Sequence, residues 1–369
     1  MPYQVILIES DQVLLNDMIA TIKKSSEFDL AATFKTANAA LGQSSIFRPD
    51  LFLVDVDNTD SLNMIPAFID IFPDAKILGM MSLWNPNIAQ KSLEAGALGC
   101  ILEPFTADDI IKSLELYTLR GKNKPARLIS FFSPKGRAGR TTMAAILALG
   151  LAKKSGERVA LIDADLQFGD LPIFFDVEPE QNVVDATQDI KMITPLNFES
   201  YFHKIKRNLY LLSSPDRPEY AELVDIESFV DVVRMSCNLF RYVLVDLPAG
   251  FNPLSIGTCK LSDTVVVMAM INNGFELQHV KRTLEMFKNY TPGDDKKIYT
   301  VFTRVNPCTE EERLKLERKL GYPVTDVLPN EYRMISVANS GRLSRNLPLE
   351  SQLVKEVDRI AEDIMSGKR

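Results

Sequence analysis

The sequence predicts an α/β protein made of two doubly wound, parallel-sheet domains, and three observations predict it. The chain has 369 residues, which a prior of roughly 150 residues per domain divides in two. Segments rich in Val, Ile, Leu and Phe alternate with helical stretches along its whole length. Continuous apolar strands in βα alternation are the mark of parallel sheets covered on both faces. Near the middle, Arg120-Gly121-Lys122-Asn123-Lys124-Pro125 is polar, basic and holds both breakers, after a helix for which Thr106 is the N-cap residue. The expected division is residues 1–122, a linker over 123–127, and residues 128–369.

Composition narrows the function classes. With 46% hydrophobic and 25% charged residues the chain is ordinary globular material. No apolar run approaches the ~18 residues of a membrane-spanning helix. The start, MPYQVILIESD, has neither a basic leader nor a small-residue cleavage site and reads as a strand. A cytoplasmic location is expected. Cys100, Cys237, Cys259 and Cys308 form no C-x-x-C pair, which reads as buried thiols in a reducing compartment. His203 and His279, the only histidines, sit in no ligand-spaced motif, which disfavours His-based triads and zinc hydrolysis. A net charge of −7 gives no overall pull toward nucleic acid.

In the first half the expected strands are Gln4–Ile8, Leu51–Asp55, Ile77–Met81 and Leu98–Leu102. The first runs into Glu9-Ser10-Asp11 and the second ends at Asp55. Acids at the C-terminal ends of parallel strands converge on the sheet edge where such folds place their sites. Together with Glu94-Ala95-Gly96-Ala97-Leu98-Gly99-Cys100-Ile101-Leu102-Glu103-Pro104-Phe105, this half resembles a response-regulator receiver domain, with a flavodoxin-like fold. The departures are chemical. The resemblance places Ser10 where receivers carry a second metal-binding acid, and Glu103 where they carry a lysine. The hydroxyl position falls at Met81 or Ser82. Asp55 stands at the phospho-acceptor position, but a carboxylate in place of the lysine repels an aspartyl phosphate. Glu9 and Asp55 therefore mark a degenerate receiver site, in a module expected to make contacts and not to transfer phosphate.

The second half offers strands at Leu128–Phe132, Val159–Asp163, Leu209–Leu212, Tyr242–Asp246, Thr264–Ala269 and Ile298–Phe302. After the first comes Ser133-Pro134-Lys135-Gly136-Arg137-Ala138-Gly139-Arg140-Thr141-Thr142 and then a helical run. A strand, a Gly-containing loop opening a helix, and paired threonines make a phosphate-binding P-loop. Backbone N–H groups and the helix N-terminus face the phosphates, and a hydroxyl reaches Mg²⁺. Such a loop needs an acid near its metal, and Asp246, at the end of an apolar strand, suits that role.

The loop resembles the deviant Walker A motif of the MinD/ParA ATPases. By that resemblance Lys135 is the additional lysine that reaches across a dimer, Asp165 is the switch I aspartate associated with the attacking water, and Asp246 through Gly250 form switch II. It implies catalytic roles for Lys135, Asp165 and Asp246. It implies nucleotide binding by Lys135, Gly136, Arg137, Ala138, Gly139, Arg140, Thr141, Thr142 and Gly250, with Mg²⁺ near Thr141 and Asp246. The cofactors implied are ATP and Mg²⁺. The run Asp163-Ala164-Asp165-Leu166-Gln167-Phe168-Gly169-Asp170 is similar to the TadZ/CpaE proteins of Flp (type IVb) pilus assembly. So are Leu247-Pro248-Ala249-Gly250-Phe251, Leu328-Pro329-Asn330-Glu331-Tyr332 and Ala338-Asn339-Ser340-Gly341, and so is the order of a receiver-like half ahead of a MinD/ParA-like ATPase. That resemblance implies a homodimer that localises or scaffolds a pilus secretion machine, held at the inner membrane face or cell pole through partner proteins, without nucleic acid.

Three substitutions bear on the chemistry. Arg140 replaces a lysine, and a planar guanidinium does not fill an ammonium's place. Pro134 brings no N–H. Arg137 replaces a glycine, harmless only if its φ is negative. Nucleotide binding with slow or absent hydrolysis is expected, a non-enzymatic scaffold or a ParA-like partitioning ATPase being the alternatives. Leu353, Val354, Val357, Ile360 and Ile364 form an apolar stripe at helical spacing near the C-terminus. Its opposite face mixes Lys355, Arg359, Lys368 and Arg369 with four acids, so packing onto the domain is expected in preference to membrane insertion.

Overall fold

The computed structural model describes residues 2–367 except 44–45, 120–124, 191, 194, 272–273, 291–297, 342, 346 and 349. Residues 120–124 of the expected boundary run and the tail residues Lys368 and Arg369 lie outside the described residues. The chain divides into two compact units, one of Met1–Pro125 with Lys191–Glu199, the other of Ala126–Ile190 with Ser200–Arg369. The short excursion at 191–199 carries no signal in the sequence, and Arg127, expected in the linker, already opens a strand.

In the first unit β1 (Tyr3–Ile8), β2 (Phe28–Phe34), β3 (Leu51–Asp55), β4 (Lys76–Met81) and β5 (Gly99–Leu102) form a five-stranded sheet in the order β2-β1-β3-β4-β5. Every pairing is parallel. The central strands are apolar throughout because both faces are covered: Val5–Ile8 and Leu51–Val54 are fully buried. β2 is the strand that the periodicity does not reveal. It lies at the sheet edge, half-exposed and carrying Asp29 and two alanines, so it needs no apolar run. Thr106 caps its helix as expected, in a reciprocal box with Asp109.

The second unit holds β6 (Arg127–Phe132), β7 (Val159–Asp163), β8 (His203–Lys206), β9 (Leu209–Leu212), β10 (Tyr242–Asp246), β11 (Thr264–Met270), β12 (Ile298–Thr303) and β13 (Asp326–Val327). The order is β13-β12-β11-β6-β10-β7-β9-β8. All are parallel except β8, which runs antiparallel to β9 through the two-residue turn Arg207-Asn208. β8 escapes the sequence reading for the same reason as β2, being an alternating edge strand that includes His203. The terminal helix Gln352–Met365 buries Val354, Val357, Ile360, Ala361 and Ile364 in the same core as the helix Arg140–Ser155. Gly150 allows the approach, since a Cβ there would lie 3.0 Å from Asp358 Oδ1. Lys154 adds ion pairs to Glu362 at 2.7 Å and Asp358 at 3.5 Å. The stripe is thus spent on the core, as expected. No helix among the described residues is long and apolar enough to cross a membrane. Cys100, Cys237 and Cys259 are buried, whereas Cys308 is only partly covered.

Candidate functional site

Strand order decides which side chains meet in the second unit. β6 lies next to β10, and β10 next to β7, in a register that sets Asp246 opposite Asp163 at the C-terminal ends of their strands. The loop Ser133–Gly139 leaves β6 at the same edge and turns into the helix Arg140–Ser155. Three bonds shape it. Ser133 Oγ donates to the Lys135 carbonyl at 2.7 Å, Gly250 N donates to the Ser133 carbonyl at 2.9 Å, and Thr303 Oγ1 donates to the Ala138 carbonyl at 3.0 Å. Gly139, at φ 81, is the helix N-cap and makes no side-chain capping bond. The first-turn N–H groups lack a side-chain acceptor there, which leaves the positive end of the helix facing the loop.

Arg137 has φ 65. The condition under which it would replace glycine harmlessly is not met, and a left-handed non-glycine residue costs roughly 1–2 kcal/mol. Lys135, Gly136, Arg137 and Gly139 are exposed, Ala138 is buried, and Thr141 and Thr142 are half-buried. Gly250 is also left-handed, at φ 84.

Arg140 is the unexpected feature. It is only 8% exposed. One end of its guanidinium donates to the Leu247 carbonyl and the other lies 4.0 Å from the Asp165 carboxylate. The side chain thus bridges the two segments that follow β7 and β10. The reason is local charge. Asp246 is fully buried beside Asp163, with Asp165 close by, and the Arg140 cation offsets the buried charge of Asp246. Burial pushes Asp246 up to about 6, against the pull of Arg140 and a hydrogen bond from Thr141. Burial and the neighbouring Asp246 raise Asp163 well above the ordinary carboxylate range.

Asp246 Oδ1 is buried without a hydrogen-bond partner. That orphaned oxygen, on a carboxylate the Thr141 hydroxyl also reaches, fits a hydrated divalent cation shared with a bound phosphate. Among the described residues no group of three or more His, Cys, Asp or Glu forms a metal cage. The fit is to an ion held by one carboxylate, one hydroxyl and its ligand, as Mg²⁺ usually is. A cavity of about 90 Å³ adjoins the loop, lined by Gly139, Thr142, Thr303, Arg304, Pro329 and Asn330 among others.

Sequence reasoning missed two residues here. Asp163, the first acid of the D-x-D string, accepts from Asp165 N at 3.3 Å and Leu171 N at 3.2 Å and so sets the path of the chain after β7. Gly169 lets that chain close over it, since a Cβ there would lie 2.4 Å from Asp163 Oδ2 and 2.1 Å from Ser214 Oγ. Gly169→Ala is expected to destabilise this unit by about 2–3 kcal/mol, the cost of overpacking a buried site. The check is a denaturant melt of the full chain, which should show a lower midpoint at unchanged slope.

In the first unit Glu9 and Asp55 come together as expected, 3% and 8% exposed, at the ends of adjacent strands. Ser10 Oγ donates to Asp55 Oδ2 at 3.3 Å, and Asn58 N donates to Asp55 Oδ1 at 3.2 Å. Of the two candidates for the hydroxyl position, Ser82 donates from both Oγ and N to Asp57 Oδ2, while Met81 is core. Glu103 enters the same cluster with its Oε1 buried and without a hydrogen-bond partner. Burial, then Glu9 and Asp55, push its pKa up to about 8. Glu9 and Asp55 are themselves raised, chiefly by burial.

Similarity to known proteins follows the same division. Residues 129–344 match the CobQ/CobB/MinD/ParA nucleotide binding domain. An uncharacterized ATP-binding protein of Methanocaldococcus jannaschii is 33% identical over 129 residues, 34% of this chain and 46% of that protein, so less than half its length is spanned. The septum site-determining protein MinD of Thermotoga maritima is 26% identical over 63% of this chain and 85% of its own. The chemotaxis protein CheY of Listeria monocytogenes is 25% identical over 30% of this chain and 94% of its own, in keeping with a receiver-like first unit. Among solved structures, a ParA family ATPase from Chlorobium tepidum superposes with a TM-score of 0.58 at 20% identity, covering 64% of this chain and 98% of that one. A MinD from Pyrococcus horikoshii, solved with Mg-ADP, gives 0.54 at 18% identity, covering 65% and 96%.

Proposed function

The chain belongs to the CobQ/CobB/MinD/ParA nucleotide-binding family, and on that footing we propose that it is a nucleotide-dependent localisation or scaffolding protein of Flp (type IVb) pilus assembly that binds ATP with Mg²⁺ and hydrolyses it slowly or not at all. The observation that carries the reading is the state of Arg140. The loop, the uncapped helix start and the Thr141–Asp246 pair are all in place, while the cation in the loop's lysine position is hydrogen-bonded to the Leu247 carbonyl and ion-paired with Asp165.

In this reading the loop from Gly136 to Gly139 and the N–H groups of Arg140, Thr141 and Thr142 hold phosphate oxygens. Thr141 and Asp246 hold the metal, which supplies charge neutralisation between phosphates. Lys135, exposed on the loop, faces a second copy in a homodimer. Asp165 orients the attacking water once it is released from Arg140, and Gly250 faces the terminal phosphate. The pilus assignment rests on the Asp163–Asp170 string, the Leu247–Phe251 and Leu328–Tyr332 segments and the receiver-then-ATPase order. It carries with it a cytoplasmic protein brought to the inner membrane face by partners of the secretion machinery.

A second reading, a scaffold that binds no nucleotide, is favoured by the same Arg140 bridge and by Glu103 in the first unit. Calorimetric titration of Mg²⁺-ATP, with ADP as comparison, separates the two. Micromolar binding is the expected result. A demonstrably folded protein that binds nothing at millimolar ATP would select the scaffold.

A further inference from the structure

The far end of the helix Arg140–Ser155 opens onto a cavity of about 680 Å³ that none of the chemistry above uses. Its nearest lining residue on that helix, Leu149, stands nine residues beyond Arg140, roughly 14 Å along the axis at 1.5 Å per residue. Its apolar floor includes Leu149, Ala152 and Leu347. Around this floor stand four cations, Lys153, Lys206, Arg207 and Arg345, against one carboxylate, Asp358. Asp358 is already engaged by Lys154 at 3.5 Å. Lys206 donates to the Ser344 carbonyl. Lys153, Arg207 and Arg345 are exposed, and their side chains make no hydrogen bond or ion pair with any other described residue.

This distribution runs against the rest of the chain, in which 42 basic residues are outnumbered by 49 acids. The turn that presents Lys206 and Arg207 is also built. Asn208 takes a left-handed φ of 68, and its Nδ2 donates to the Gly156 carbonyl at 2.8 Å, fastening the turn to the end of the helix. The cavity volume lies within the roughly 300–1,000 Å³ typical of ligand sites. Arginine forks are the side chains that match phosphate oxygens.

We propose that this cavity is a second ligand site, selective for a phosphate-bearing amphiphile whose phosphate meets Arg207, Arg345 and Lys153 while its apolar body covers Leu149, Ala152 and Leu347. The site does not depend on the nucleotide reading. A phosphate of this kind comes either from a phospholipid headgroup at a membrane surface or from a free phosphorylated amphiphile.

The test is titration of the full chain with dihexanoylphosphatidylglycerol below its micellar concentration, beside glycerol 3-phosphate, which has the phosphate without the apolar body. Saturable one-to-one binding is expected, about tenfold or more tighter than glycerol 3-phosphate, a gap that burial of a few methylenes supplies. Arg207→Ala with Arg345→Ala should weaken it by about tenfold or more, as loss of charge-assisted bonds requires, and Lys153→Ala should weaken it less. All three residues are exposed, so melting temperature and Mg²⁺-ATP response should not change. Absence of saturation at millimolar amphiphile, or a double variant that binds like the unaltered chain, overturns the proposal. Co-sedimentation with phosphatidylglycerol vesicles and not with phosphatidylcholine vesicles identifies the lipid source. Binding of the soluble amphiphile without co-sedimentation identifies a free one.

Discussion

Arg140→Lys should raise steady-state phosphate release roughly a hundredfold over the unaltered chain, the scale of ~3 kcal/mol for one transition-state contact. The guanidinium has two separated ends and uses both, one on the Leu247 carbonyl and one on Asp165. An ammonium is a single point of charge and cannot span the two. On the proposed nucleotide reading, lysine frees Asp165 to orient water and makes the shorter cation available to phosphates at the uncapped helix start. The same substitution should lower the melting temperature of the nucleotide-free protein, because an ammonium cannot keep both guanidinium contacts while Asp246 stays buried beside it. Loss of a buried charge-assisted bond typically costs about 1.5–3 kcal/mol, and Mg²⁺-ATP should restore more stability to the variant than to the parent. Adding Asp165→Asn should remove the gain in turnover but not the gain in ligand-induced stability. A lysine variant that binds ATP tightly and still releases no phosphate would show that Arg140 is not what holds hydrolysis back.

Legibility in the sequence followed burial. Strands covered on both faces, such as Leu51–Asp55 and Tyr242–Asp246, announce themselves as unbroken apolar runs because each residue in them is buried. The edge strands Phe28–Phe34 and His203–Lys206 do not, since one face of each meets solvent and their register is set by a neighbour. The phosphate loop was legible because its chemistry is local: a strand, a turn and a helix start within a few residues. What the loop touches was not. The bridge from Arg140 to Leu247 spans 107 positions, the bond from Thr303 to Ala138 spans 165, and both depend on strand order. Asp163 stood in the D-x-D string from the outset. Only the adjacency of β7 and β10 makes it the buried neighbour of Asp246. The need for glycine at position 169 likewise lies in Ser214, 45 residues away in sequence, and in no local turn rule.

The other large effect concerns pH, and it arises from Glu103. Its folded pKa stands at about 8 against an ordinary value of 4.5, because burial and the facing carboxylates of Glu9 and Asp55 oppose its ionisation. The folded state therefore binds this proton more tightly than the unfolded chain does. The stability this contributes is fully present below about 4.5 and is lost as pH rises through about 8. Each pKa unit is worth about 1.4 kcal/mol at full strength, but Glu103 is only half-buried, so solvent screening reduces the effect to about 1–2 kcal/mol. Glu9 and Asp55 shift in the same direction and add to the slope. Asp163 and Asp246 give a like slope in the other unit, so the informative quantity is the difference between variants. Glu103→Gln should flatten the loss of stability between about pH 5 and about pH 9 by that amount. Glu103→Lys should go further and make the full chain more stable at the alkaline end, since an ammonium there neutralises Glu9 and Asp55 instead of competing with them. Thermal melts of the three proteins across that range read the effect directly. Parallel curves for the unaltered chain and Glu103→Gln would mean that this carboxyl is ionised at no cost. The receiver-like unit would then have some other cation within reach of its acids. A flattened curve would mean that the carboxyl in the lysine position is held protonated near neutrality, which leaves Asp55 without the positive partner an aspartyl phosphate needs.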